Sequence, residues 1–455
     1  MIGATAPSTC RRLLERCAAT AAGVAGGGAL AACNQAAQPA ARPAEMAPAQ
    51  LDLWHHWAST RLPLVDELGR RFNARYPQIT IAHSVIQGNR VEKVLAAASA
   101  GSLPSVLMIN RRELPQYTQL GFLRQLNDYA KRARIADDQF IPAEIKSSYV
   151  QGKLMTLPMV TGGDLQFVYY NRALWRQAGL DPDKNAPKTW AQLREQVRPL
   201  TVRQGADIAQ LGFPVANELS RMNRLGGNWL ALAGGTQVSQ PDGKRSLLGS
   251  NETIRALSFL TDILRDQGGA AASAAFQPHL DLENGSQFSA GRQATAIFGV
   301  PHWFIFKTNA PDMDMGIFGL PPDTGKAHKF GAGDGWSYSV PTSTKTVDQA
   351  WALEQFLSVE EEGAGWFVLE QGRPSPVKKL NENPAFRQKH PQWNVVLDVV
   401  AKGELWTWVT PQAEIERDTG PVLAEVRDGT LSPQDGAKRM SEIAQRFIDQ
   451  SATSK

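Results

Sequence analysis

Beyond residue 33 the chain has no cysteine: its only three are Cys10, Cys17 and Cys33. Residues 34–455 therefore hold neither a disulfide nor a thiolate metal site. No apolar run is long enough to span a bilayer, and the stretch Cys17–Leu30 is short, Ala- and Gly-rich and only weakly apolar. Charge of one sign is also lacking. Lys plus Arg number 48 against 44 Asp plus Glu, too even a balance to attract nucleic acid or an anionic membrane. Signatures of catalysis are missing as well. There is no phosphate-cradling G-x-x-x-x-G-K-[ST], the run Gly331–Gly335 lacks dinucleotide spacing, and no Ser sits in a G-x-S-x-G elbow. His55 and His56 are neighbours, so on a strand they point to opposite faces and cannot share a metal. The other histidines (His83, His279, His302, His328 and His390) are scattered. No catalytic residue, metal or cofactor is expected.

What is present begins with an export signal. Arg11, Arg12 and Arg16 make a basic start, and the small-residue run behind them ends in Leu30-Ala31-Ala32-Cys33. That ending resembles a bacterial lipobox, in which cleavage precedes a lipidated cysteine. Arg11-Arg12 followed by Leu13-Leu14 also resembles a twin-arginine signal, although Glu15 and Cys10 depart from it. Both export routes stay open. Residues 1–32 are expected to be the signal peptide, with Cys33 as the lipidation site. Residues 33–50 are mostly Ala, Pro and Gln with almost no large apolar side chain, hence a tether with a reach of roughly 50 Å if extended.

A body of this size suggests two or three domains. It opens with the alternating strand Leu51–Trp54, then a helix whose Leu64, Val65, Leu68 and Phe72 recur at helical spacing. Pro77 ends that helix. Ile79–Ile81 is a strand, Arg90–Ala100 a helix with Gly101 as its C-cap, and Val106–Ile109 a buried strand. Further strands are expected at Leu165–Tyr170, Ala294–Phe298 and Trp336–Val340. Helices are expected near Leu174-Trp175, Glu252–Gln267, Val347–Ser358 and Pro433–Asp449. Strands alternating with helices imply α/β layers with a mostly parallel sheet covered on both sides.

Tryptophan is the residue type that draws the eye. Trp54, Trp57, Trp229, Trp303, Trp336, Trp406 and Trp408 fall at expected strand ends or loops, whereas Trp175, Trp190, Trp351 and Trp366 fall in helical patterns and are assigned to the core. A flat indole stacks on the C–H face of a pyranose while amides, carboxylates and Arg take its hydroxyls. Each of the first group, taken singly, also fits a core position.

The run Gly152-Lys-Leu-Met-Thr-Leu-Pro158, then Val168-Tyr-Tyr-Asn171, Leu174, Ala178-Gly-Leu180 and Pro187-Lys-Thr-Trp190 is an ordered block. With Gly291–Trp303, Gly333-Asp-Gly-Trp336 and Gly372-Arg-Pro374, it resembles the family 1 extracellular solute-binding proteins of ABC importers, the maltose-binding-protein-like group. The resemblance covers nearly all of residues 50–450. It implies a two-lobed, type II periplasmic-binding-protein-like fold joined by crossover hinge strands near Val160–Leu165, Gly335–Ser339 and Gly372–Ser375. One lobe would hold residues 50–161 and 338–372, the other 162–337 and 373–455.

The resemblance also implies a role: a monomeric receptor, lipid-anchored in the periplasm or at the cell surface, that captures a small solute, most simply a sugar, and delivers it to the permease subunits. It places ligand contacts at Trp57, Asn110, Arg111, Asp164, Trp303, Trp336 and Arg373. The insertion Val300-Pro301-His302 before Trp303, and Gly162-Gly163 before Asp164, depart from the family pattern. Arg111, Arg112, Arg221 and Arg373 would equally suit a sugar phosphate, because guanidinium forks match phosphate oxygens. A periplasmic glycan-acting enzyme and a sensor subunit remain rival readings.

Overall fold

The computed structural model describes residues 46–58, 61–88, 90–162, 165–220, 229, 233, 244–276, 286–324, 330–332, 335–405 and 412–453. The export signal, Cys33, residues 34–45 of the tether, Asp164, Arg221, Trp406 and Trp408 lie outside the described residues.

The first lobe starts as the sequence pattern requires: β1 (Ala49–His55), α1 (Leu62–Arg75), β2 (Ile79–Val85), α2 (Arg90–Ser99) and β3 (Val106–Asn110). β1 buries Leu51, Leu53 and His55 and turns the alternate residues outward. β3 is buried at all five positions, as a strand covered on both faces must be. α1 carries Pro63 in its first turn, where the missing N–H costs nothing, and faces the sheet with Val65, Leu68 and Phe72. Gly101 closes α2 with φ of +65°, a conformation in which a side chain would be strained. β1 runs parallel to both β2 and β3.

The chain continues through α3 (Pro142–Lys146), β4 (Leu157–Pro158), β5 (Gln166–Asn171), α4 (Arg172–Gln177), α5 (Asn251–Asp266), β6 (Thr295–Gly299), α6 (His302–Asn309), β7 (Met315–Gly319), β8 (Trp336–Ser339), α7 (Val347–Ser358) and α8 (Pro433–Thr453). β8 returns to the first sheet and lies antiparallel between β3 and β4, giving the order β2-β1-β3-β8-β4. α5 starts at Ser250, whose hydroxyl accepts the Thr253 N–H, and buries Leu257, Leu260 and Leu264 along one stripe.

The second sheet has the order β6-β5-β7 and departs from the expected parallel arrangement, because β5 pairs antiparallel with both neighbours. β6 and β7 do run parallel to each other, with α6 between them in sequence, so the β-α-β rhythm is real. They are not adjacent. β5, which follows β4 of the first sheet, fills the slot between them in the opposite direction. The fold is thus a two-lobed α/β architecture with one mixed sheet and one antiparallel sheet.

Trp175 (0% exposed), Trp190 (3%) and Trp351 (8%) lie in the core as the helical patterns required. Trp229 joins them at 1%, donating its indole N–H to Glu218 at 2.8 Å, and so is no loop aromatic open to a ligand. Among the described residues, no helix is long and apolar enough to cross a membrane.

Candidate functional site

Two segments link the two sheets, the one after β4 and the one leading into β8, and the turn Gly372–Ser375 lies beside them. Arg111, just beyond β3, holds both segments. Its backbone N–H donates to the Gly335 carbonyl at 3.0 Å. Its Nη1 donates to the Trp336 carbonyl and the Ser337 hydroxyl, each at 3.0 Å. Its Nη2 is ion-paired with Glu144 of α3, and the other Glu144 oxygen accepts the Gly162 N–H at 3.1 Å. Thr161 then donates its hydroxyl to the Pro374 carbonyl at 3.2 Å, which ties in the turn.

With the Arg111 side chain 0% and the Glu144 side chain 1% exposed, Arg111 offers a ligand no face. It braces the segments that link the two sheets. Asn110 has a similarly local job, its Oδ1 accepting the Arg112 N–H at 3.0 Å.

Four candidate side chains remain. Trp57 is 3% exposed, with its indole N–H donating to the Tyr338 hydroxyl at 3.3 Å and its ring against Phe367. It is a buried floor, not an open stacking face. Trp303 is turned inward. It lies in the first turn of α6, not at a strand end, and stacks on His390 with ring centroids 4.1 Å apart. The reason is the helix that Pro301 caps: successive residues step by about 100°, so only one of His302, Trp303 and Phe304 can face the core. His302 and Phe304 stay half-buried beside it. Trp336, by contrast, is half-buried on the return crossover, with His56 at 4.7 Å and the Arg90 guanidinium 5.2 Å from its ring centre. Arg373 completes the group, its guanidinium 5.7 Å from the centre of the Trp57 ring, with Arg61 at 5.8 Å from the same ring.

The electrostatics are unusual. The Nε of Arg373 is sealed from solvent and has no acceptor among the described residues. Burial first, and the charge of Arg61 second, hold its pKa down to about 9. Arg90 is neutralised by Glu113, with Nε to Oε1 at 2.8 Å. Burial also holds His56 below its ordinary value, while its Nδ1 faces the Ile86 carbonyl at 3.0 Å. Among the described residues no cluster of three His, Cys, Asp or Glu side chains could hold a metal ion.

The structure therefore brings Trp57, Trp336 and Arg373 together and sets Arg111 and Trp303 into the packing. It also adds residues the sequence reading passed over: His56, Arg61, Arg90 and Phe304. The parity of β1 could have found His56, since the burial of Leu51, Leu53 and His55 turns His56 to the other face. Phe304 packs on Gly372, where an added Cβ would come within 1.6 Å of the Phe304 ring, so that turn has room for glycine alone.

The model of the bacterial extracellular solute-binding protein family matches residues 58–364. The chain belongs to that family. In sequence it is similar to the sn-glycerol-3-phosphate-binding periplasmic protein UgpB of Escherichia coli O1:K1 / APEC, at 29% identity over 157 residues, which are 33% of this chain and 35% of that protein. The same protein of Escherichia coli (strain K12) is 28% identical over 157 residues. The chain thus spans about a third of the length of the curated relatives it matches. In fold it is similar to the sugar-binding protein MalE of Xanthomonas citri, with a TM-score of 0.76 and 19% identity over 89% of this chain and 98% of that one. It is similar also to CpMnBP1 with mannotriose bound, with a TM-score of 0.71 and 20% identity over 87% of this chain and 100% of that one.

Proposed function

We propose that this family member is the receptor of an ABC importer, which captures a small carbohydrate or polyol-type solute between its lobes and hands it to the permease. The observation that carries this reading is the half-buried Trp336. Its backbone is part of a crossover braced by Arg111, so a ligand resting on its ring would touch the segment about which the lobes turn. Ligand contacts made from both sides would favour the closed form. In this reading the lobes comprise 50–161 with 338–372, and 162–337 with 373–455. No bond chemistry is involved, the protein acts as a monomer, and ATP is hydrolysed elsewhere. Trp57, Asn110, Arg111 and Trp303 serve the site from behind or beside the contact surface, Trp336 and Arg373 reach the ligand, and Asp164, which lies outside the described residues, accepts from the ligand's hydroxyls.

The test is small-angle scattering with a thermal-shift panel of sugars and polyols. A solute that stabilises the protein should also reduce its radius of gyration. Stabilisation without compaction would sink the two-lobe clamp. The reading includes anchoring through a lipidated Cys33, supported by the Leu30–Cys33 sequence. Cys33→Ala should abolish membrane fractionation of the exported protein, and unchanged fractionation would refute the anchor.

A further inference from the structure

Resting on the receptor reading, we infer that the solute carries an oxyanion, most simply a phosphate ester, seated between Arg373 and Arg61. Both guanidinium groups stand over one indole, Trp57, at 5.7 and 5.8 Å from its centre. Two like charges sharing one ring repel each other, and that arrangement is tolerable only if an anion bridges them or if their pairing lies elsewhere. Arg373 has no pairing elsewhere among the described residues: it forms no ion pair, and its Nε is buried without an acceptor. A buried donor without a partner is costly, more so when it is charged, so a site that keeps one gains when a ligand supplies the acceptor.

The setting favours an oxyanion over a hydroxyl. Arg presents planar paired donors that match two oxygens of a phosphate or carboxylate, whereas a hydroxyl is uncharged and offers the fork no second oxygen. Arg61 is also the N-cap residue of the 14-residue α1, and no side chain caps that end of the helix. The helix dipole there adds to the same positive potential. The polyol or sugar part would then lie on the accessible ring of Trp336, beside His56. One site thus joins an aromatic platform to an anion seat.

The experiment uses matched pairs on the full folded chain: glucose against glucose 6-phosphate, glycerol against glycerol phosphate, and glucose against glucuronate, with inorganic phosphate alone. Binding is followed by calorimetry and thermal shift for the native protein, Arg373→Gln and Arg61→Gln. Charge-assisted hydrogen bonds predict that a phosphorylated partner binds roughly tenfold to a hundredfold more tightly than its neutral twin. Either substitution should erase most of that ratio, and the preference should shrink as salt is raised. A glucuronate preference equal to that for phosphate would assign the seat to oxyanions in general. Neutral partners binding as well as phosphorylated ones, with no loss in Arg373→Gln, would overturn the anion seat and leave solute capture standing. No shift from any probe at millimolar concentration would overturn the seat and count against the receptor reading too. The apo melting temperature of each variant guards against misfolding. Should Arg373→Gln fail to fold, Arg61→Gln decides alone.

Discussion

Arg111 grips the return crossover while Glu144 grips the outgoing one, and the two side chains are ion-paired in between. Both are almost completely buried. Three backbone groups from these two segments (the carbonyls of Val160 and Trp336 and the amide of Gly162) therefore depend on one charge pair.

Removing one partner of such a pair leaves the other charge buried and unpaired, which costs about 3–5 kcal/mol. Arg111→Ala and Glu144→Ala should each lose that much in urea unfolding. A double replacement by apolar residues of similar volume should lose less than either. If Arg111→Ala instead melts normally and only binds ligand more weakly, Arg111 is a ligand contact after all.

The two tryptophans that sequence alone cannot separate should behave differently. Trp303→Ala removes a ring packed on His390 and should cost about 3–5 kcal/mol of stability. Trp336→Ala should cost about 1 kcal/mol or less and weaken ligand binding several-fold, in line with aromatic stacking worth about 0.5–1.5 kcal/mol. Denaturation and titration of both variants give the answer. Equal stability losses would mean that Trp336 is core too.

The alternation of strands and helices was legible because apolar period and turn residues were strong locally: Val65, Leu68 and Phe72 on α1, Gly101 after α2 and the apolar run of β3 all lie where the sequence put them. Side-chain direction was not. Nothing near Arg111 announces Glu144, which is brought to it by the fold, and that partner turns the guanidinium inward. Likewise the inward turn of Trp303 depends on where Pro301 starts its helix, a matter of one residue. The direction of β5 was hidden for a third reason. Its neighbours come from a distant part of the chain, so no short connection dictates parallel pairing.

Acid should weaken the fold. His55 and His390 are both fully buried, and burial is the leading cause that holds each down to about 4 from an ordinary 6.5. His83 and His56 add to the lowering at His55, while Asp66 opposes it. Between pH 6.5 and 4 the unfolded chain binds protons that the folded chain refuses, so this stability is present above 6.5 and lost as pH falls toward 4. At full extent each histidine accounts for about 3 kcal/mol. Both ring nitrogens of His390 are also buried without a partner among the described residues. His390→Phe should therefore hold or raise stability at pH 7 and flatten the acid loss between pH 6.5 and 4. A steeper loss than in the native protein would contradict this.

Two glycines at the hinge should not tolerate alanine. At Gly335 an added Cβ would lie 2.3 Å from the Val160 carbonyl oxygen and 2.5 Å from Arg111 Nη2. At Gly372 the φ of +61° and the Phe304 ring oppose it together. Each replacement should cost more than about 1 kcal/mol, whereas Gly69→Ala, inside α1 and with nothing within 4 Å of the new Cβ, should raise stability by about 0.5–1 kcal/mol. Thermal melts of the three variants settle the matter.

The position of β5 has a consequence for how the protein is made. Both of its hydrogen-bonding edges wait for strands that begin at Thr295 and Met315. A growing chain thus carries a finished, wholly buried-type strand for much of its synthesis with nothing to pair it. Distant partners slow folding because loop closure must precede the contacts that reward it, and unpaired apolar edges invite association with other chains. The second sheet is therefore expected to assemble late, and its nascent form to be the one that most needs shielding.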